Sequence, residues 1–396
     1  MPSPRVILLL AALGAACAAP AAASAKVPTG PAGVKFYTPP KPLPGKTHGD
    51  LIRARRLTGA AALSAAGSNR LVLYRSTNAE GRSIAVSGTV AVPKGKAPKG
   101  GWPVISWGHG TTGIADQCAP SRDSKSSPAH GYIDYAYPTL NGYLKAGYAV
   151  VQTDYQGLGV PGITHQFLAG VPEGRSVLDM VRAARKLDPR LSKRVALVGH
   201  SQGGQAVLYA ASLASKWTPE LKIRGTVAFA PVSHLSEQAG LIPILKDPSS
   251  LSAYAGIILR GIDTAVPKAH FSALLTDTGT ALYPQTLSKC QADLVKPDSF
   301  GGVAPASLLR SDADLKPLEQ ALAAKDDTES VRIKTPVQID QGTADTTVFP
   351  SYTDDLAKQF KARKNPLSYR KYDGVTHGGV VTAANTNALA FLKHRF

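Results

Sequence analysis

Sulfur is scarce in this chain, with three cysteines and two methionines in 396 residues. That excludes a disulfide-dense scaffold and a thiolate metal cluster. No H-E-x-x-H string, no G-x-x-x-x-G-K-[ST] string and no Cys/His cluster occurs, so neither a metal nor a cofactor is expected. Aromatic residues make up 7% and charged residues 18%, against 43% hydrophobic. An ordinary apolar share with few charges excludes disordered, collagen-like and coiled-coil chains. Acids are the rarer charge, 27 against 45 Lys plus Arg, for a net charge of +18. The cations are scattered (Arg53, Arg55 and Arg56; Lys358, Lys361, Arg363 and Lys364), and no nucleic-acid module frames them. Such an excess suits a solvated surface, or adsorption to anionic surfaces and lipid interfaces, rather than nucleic acid. Beyond the first residues no run approaches the ~18 apolar residues of a membrane span.

What is present begins with a leader. Arg5 precedes the apolar run 6–16, and Ala23-Ser24-Ala25 follows. A basic start, an apolar stretch and small residues predict a secretory signal peptide over 1–25, cleaved after Ala25. The protein is then exported, to the periplasm or the medium. Leu13 lies four residues before Cys17, one too many for a lipidation signal, so no lipid anchor is expected. With Cys17 removed, Cys118 and Cys290 remain, and an oxidising compartment favours one disulfide.

Residues 26–69 read as an N-terminal arm, extended where Pro39, Pro40, Pro42 and Pro44 cluster and then forming a short helix. Two alternating runs, 71–77 and 83–92, flank Asn78-Ala79-Glu80-Gly81 and predict a hairpin. Short apolar runs at 103–107, 149–153, 195–198 and 226–229 suit strands of a parallel sheet buried on both faces. Helical stretches at 140–146, 175–187 and 205–216 separate them. Strands at 337–340 and 367–372, with helices near 354–362 and at 385–393, continue the pattern. The alternation predicts an α/β sheet with right-handed crossovers. It breaks once, between Val232 and Lys334, over roughly 100 residues, far more than a connection needs. Residues 70–231 and 335–396 therefore read as the core, and 232–334 as a cap over the sheet's carboxyl edge, where such sheets bind ligands.

Gly199-His200-Ser201-Gln202-Gly203 fits G-x-S-x-G between a predicted strand and a predicted helix, the signature of a nucleophile elbow. A serine hydroxyl needs a base to take its proton, and the base needs an acid to orient it. On this architecture the chain order is Ser, then Asp or Glu, then His. Asp345, in Gly342-Thr343-Ala344-Asp345, and His377, in Val375-Thr376-His377-Gly378, each follow a strand's carboxyl end. Their rivals are Asp340 and Asp354, and His234, His270 and His394. An oxyanion needs two N–H donors: Gln202, and either Thr111 or Thr112 in the loop Gly108-His109-Gly110-Thr111-Thr112-Gly113. Residues 157–162 match G-x-G-x-x-G, but Pro161 opposes a helix there, so a dinucleotide is not expected.

The strings SWGHGTTGIADQCAPS, DYQGLG and GHSQGG, with FYTPPKPLPGKTHGDLI upstream, resemble the secretory lipase family, α/β hydrolases related to yeast lipase A. The resemblance runs from Phe36 to the last helix. It implies an α/β-hydrolase fold, a mostly parallel eight-stranded sheet with helices on both faces and a mainly helical cap after the sixth strand. It also implies a Ser201-Asp345-His377 triad and hydrolysis of carboxylic esters or lipids, by a lipase or carboxylesterase. It supports pairing of Cys118 with the cap's Cys290. Where the yeast relatives carry an acidic oxyanion residue, this chain has Thr111-Thr112. An exported serine peptidase would use the same triad, and a non-catalytic binding module would have lost it. In the cap, the apolar stretches 241–245 and 254–259 suit either an acyl pocket or plain helix core.

Overall fold

The computed structural model describes Met1 and residues 27–396, so the expected leader with Cys17 lies outside the described residues. Among the described residues nine strands form one sheet: β1 (Leu51–Arg56), β2 (Ala66–Thr77), β3 (Ser83–Pro93), β4 (Trp102–Gly108), β5 (Ala149–Thr153), β6 (Leu191–His200), β7 (Lys222–Phe229), β8 (Val337–Gly342) and β9 (Leu367–Tyr372). Their order is β1-β2-β3-β5-β4-β6-β7-β8-β9. The pairings β1–β2, β2–β3 and β3–β5 are antiparallel and the rest parallel. The predicted hairpin is β2–β3. Asn78 closes its turn by donating its backbone N–H to the Arg82 carbonyl at 2.9 Å and accepting the Arg82 N–H on Oδ1 at 2.8 Å.

Two expectations differ from the structure. The sheet has nine strands rather than eight, and the short helix expected in the arm is instead strand β1. Ile52 joins Phe36, Tyr37, Leu71 and Leu73 in an apolar cluster. Pairing with β1 also satisfies the backbone groups along the free edge of β2, which an isolated helix would leave to solvent. Counted from the hairpin strand β2, the long insertion follows the sixth strand, as the resemblance implies; counted from β1, it follows the seventh.

Helices α1 (Tyr137–Lys145), α2 (Gly170–Leu187) and α3 (Gln202–Trp217) lie between the parallel strands. Helices α4 (Leu235–Ala239), α5 (Leu251–Ala265), α6 (Asp277–Leu282), α7 (Gln291–Leu294) and α8 (Lys316–Lys325) lie between β7 and β8, and α9 (Pro350–Ala362), α10 (Gly379–Ala383) and α11 (Asn385–Lys393) complete the chain. Successive strand side chains point to opposite faces, so apolar runs bury both. Val195 and Leu197 of β6 meet α2, α3 and α9 on one face, with Met180, Val207 and Phe360. Ala196 and Val198 meet α1, α10 and α11 on the other, with Leu140, Val381 and Leu392. The segment between β7 and β8 has an apolar cluster of its own, built from Ile257, Phe300 and Leu322, that also takes in Ile114, Phe167 and Val348 of the sheet's loops. A disulfide between Cys118 and Cys290, 172 residues apart, ties that segment to the loop after β4.

Candidate active site

Ser201 stands between β6 and α3 with φ 57° and ψ −120°, a left-handed turn that lifts its side chain off the strand. The turn needs close backbone approach on both sides. A Cβ on Gly203 would lie 1.9 Å from the Gly108 carbonyl oxygen, and one on Gly199 would lie 2.1 Å from the Gly203 oxygen. Only glycine fits at either position. The Ser201 N–H donates to Phe229 at 2.9 Å, and its carbonyl accepts from Gln205 at 3.1 Å.

Asp345 and His377 come together although 32 residues separate them. Nδ1 of His377 lies 2.7 Å from Oδ2 of Asp345, whose carboxylate is fully buried while the imidazole is 17% exposed. An ionised carboxylate only accepts, so Nδ1 carries the proton and Nε2 keeps its lone pair. The other oxygen, Oδ1, accepts the N–H groups of Thr347 at 2.8 Å and Val348 at 2.9 Å, and Gln341 Nε2 adds a bond to Oδ2 at 3.0 Å. Burial pushes this carboxyl upward, but the hydrogen bonds from His377 and the two amides outweigh it and hold Asp345 below its ordinary value. His377 is tied to the elbow through His200, which donates from Nε2 to the His377 carbonyl at 3.0 Å.

The rivals are engaged elsewhere. Asp340 accepts from Gln338 and from the Tyr372 hydroxyl, and burial raises it to about 6. Asp354 binds Tyr369 and Lys371. His234 faces Ser233 and Glu329, and His270 lies exposed at the start of a short 3-10 turn.

Ser201 and Thr111 share one cavity of about 120 Å³, whose other walls are almost wholly apolar and include Leu168, Leu235, Leu259, Phe300, Leu322 and Val348. Both apolar stretches of the insertion singled out in the sequence contribute: Leu241, Ile242 and Leu245, and Tyr254, Gly256 and Leu259. Ile257, by contrast, is plain core. Thr112 is turned away from this cavity, fully buried, with its carbonyl accepting from Gln291 at 2.9 Å. Gln202 buries its side chain behind the elbow against His165 and Glu173. Residues 157–162 form a loop after β5, not the start of a helix. Reading the sequence missed His165, Glu173 and Gln341. A polar residue that buries a hydrogen bond looks, in one sequence, like one that faces water.

Sheet order, elbow and inserted segment are those of an α/β hydrolase. Residues 132–396 match the family model described as Secretory lipase, and the chain belongs to the secretory lipase family. Lipase A of Moesziomyces aphidis is 31% identical over 231 residues, 55% of this chain and 47% of that protein. A probable inactive lipase of Mycobacterium tuberculosis is 28% identical over 210 residues, 50% of this chain and 45% of that protein. The chain thus spans about half the length of the curated relatives it matches. Candida antarctica lipase A in its closed state has the same fold, with a TM-score of 0.76 at 23% identity over 91% of this chain and 85% of that one.

Proposed function

We propose that the chain is an exported serine hydrolase that cleaves carboxylic esters of apolar acids, as a lipase or carboxylesterase. One observation carries this: the Asp345–His377 hydrogen bond is tied through His200 to the elbow, whose serine opens on an apolar cavity. Residues 232–334 act as the cap, and the acyl chain lies among its leucines.

Ser201 Oγ attacks the ester carbonyl carbon while its proton passes to Nε2 of His377. Asp345 keeps the imidazole in the required tautomer and stabilises the cation that forms. The carbonyl electron pair moves to oxygen, where the backbone N–H groups of Gln202 and Thr111 meet it, each worth ~3 kcal/mol in comparable sites. Thr111 is preferred to Thr112 because only Thr111 borders the cavity that Ser201 enters. Collapse breaks the ester bond, and the leaving alcohol takes the proton from His377. Water then attacks the acyl-enzyme by the same relay and releases the acid.

The excess positive charge suits adsorption to anionic or lipid surfaces that carry such esters. Similarity to a probable inactive lipase of Mycobacterium tuberculosis favours one second reading, a non-catalytic scaffold. Hydrolysis of p-nitrophenyl esters from acetate to palmitate, by the chain and by Ser201→Ala, separates the two. Turnover that vanishes in the variant supports the proposal, and the chain-length profile tells lipase from esterase. No turnover of any ester overturns it.

A further inference from the structure

Behind the elbow, three segments meet in a polar cluster that no solvent reaches. Gln202, the first residue of α3, is 1% exposed, as are His165 from the loop after β5 and Glu173 from α2. Nε2 of Gln202 donates one hydrogen to Nε2 of His165 at 2.9 Å and the other to Oε1 of Glu173 at 2.8 Å. Nδ1 of His165 lies 2.7 Å from the Gln156 carbonyl, which only accepts. His165 therefore carries its proton on Nδ1 and offers a bare Nε2 to Gln202. Oε1 of Glu173 also accepts the N–H of Leu168 at 2.9 Å. Every hydrogen of the Gln202 amide is thus used, by partners held from two other elements.

We propose that His165 and Glu173 are positioning residues: they anchor the Gln202 side chain and so aim its backbone N–H at the oxyanion. The proposal rests on the ester-hydrolase reading above. Neither residue borders the cavity that Ser201 and Thr111 share, so neither touches the reacting atoms. They act through Gln202, whose backbone follows directly on the strained φ of Ser201. The same carboxyl fixes Leu168, which has φ 61° and lines the cavity beside Phe167. One acid therefore sets the oxyanion donor and a wall of the acyl site together. Burial supports neutral partners: it pushes His165 down to about 4 and Glu173 well above its ordinary value. A neutral Glu173 has an equivalent in glutamine, which keeps an acceptor oxygen at Oε1.

The test compares His165→Leu, Glu173→Leu, Glu173→Gln and Gln202→Met with the unaltered chain, using a p-nitrophenyl ester and an alkylboronic acid that mimics the tetrahedral intermediate. The leucine and methionine variants are expected to lose about tenfold or more in kcat, with KM within about threefold. Boronate affinity should fall by the same factor as kcat. Glu173→Gln should recover most of what Glu173→Leu loses. Folded leucine variants with unchanged kcat and boronate affinity would overturn the proposal, as would equal losses in Glu173→Gln and Glu173→Leu. Circular dichroism and Tm identify a variant that fails to fold, and Gln202→Met, which keeps the backbone N–H, then reads the same anchor. Labelling of Ser201 by a fluorophosphonate in the unaltered chain tests the reading beneath: without turnover or labelling, that reading has failed rather than the anchor alone.

Discussion

The rings of His200 and His377 lie 4.5 Å apart, and the bond between them runs from the side chain of one to the backbone of the other. His200 donates from Nε2, so its Nδ1 accepts, here from the Tyr135 hydroxyl. Burial and the neighbouring His377 hold His200 well below the ordinary imidazole range, so it stays neutral. Phenylalanine at 200 would keep the ring and lose the donor. We expect His200→Phe to lower kcat by about tenfold, the worth of one well-placed hydrogen bond, with Ser201 still present. Steady-state kinetics on a short ester checks it.

Asp345 and Asp340 make a paired control, since both are buried acids near the end of β8. Asp345→Asn should reduce kcat by about 10³ to 10⁴, because an amide lets the imidazole take the wrong tautomer. Asp340→Asn should leave kcat within about threefold, its partners being Gln338 and Tyr372 rather than a histidine. Comparable losses in both variants would reassign the acid.

The Cys118–Cys290 bond closes a long loop and lies where Gly113 pairs with Cys290. Replacing both cysteines by serine should destabilise the chain by about 2 to 5 kcal/mol, mainly through the unfolded state. Reductant should lower the Tm of the unaltered protein towards that of the variant and leave the variant unmoved.

Asp326 gives a stability that depends on pH. It is buried at the end of the insertion, accepting from Gln205 and Thr328, and burial lifts it from 3.8 to about 7. Between those values the unfolded chain has released the proton and the folded chain has not. Stability from this site is therefore full below about pH 4 and declines as pH rises to about 7. Asparagine keeps the acceptor without the charge. Asp326→Asn should raise Tm at pH 8 and barely change it at pH 4, with a gain of at most about 4 kcal/mol at 1.36 kcal/mol per unit. Thermal melts across that range check the sign.

Gly256 and Phe300 face each other across the wall of the apolar cavity, and a Cβ on the glycine would lie 2.5 Å from the Phe300 ring. Gly256→Ala must displace that ring, which walls the space proposed for the acyl chain. Long-chain esters should lose about tenfold in kcat/KM relative to acetate, a loss on the scale of one or two methylenes. An unchanged chain-length profile would place the acyl group elsewhere.

Much of the core was legible because its signals are local. Strands β5 and β9 and helix α11 fall where the sequence puts them, since a short run or helical stretch bounded by turn residues is a local signal. Strand β1 was not legible: Leu51-Ile52-Arg53-Ala54-Arg55-Arg56 carries three arginines, and its strand state comes from pairing with β2 and from Phe36 and Tyr37. Helix propensity lost to an edge that needed a partner.

By itself the sequence determined the elbow, because G-x-S-x-G stands between a strand and a helix, and the candidates Asp345 and His377, because each follows a strand. Tertiary structure alone decided that these two meet, that Thr111 rather than Thr112 shares the cavity with Ser201, and that His165 and Glu173 converge on Gln202. The reason is physical: turn sterics act between neighbours in the chain, whereas a buried hydrogen bond joins residues whose separation in sequence carries no trace of it.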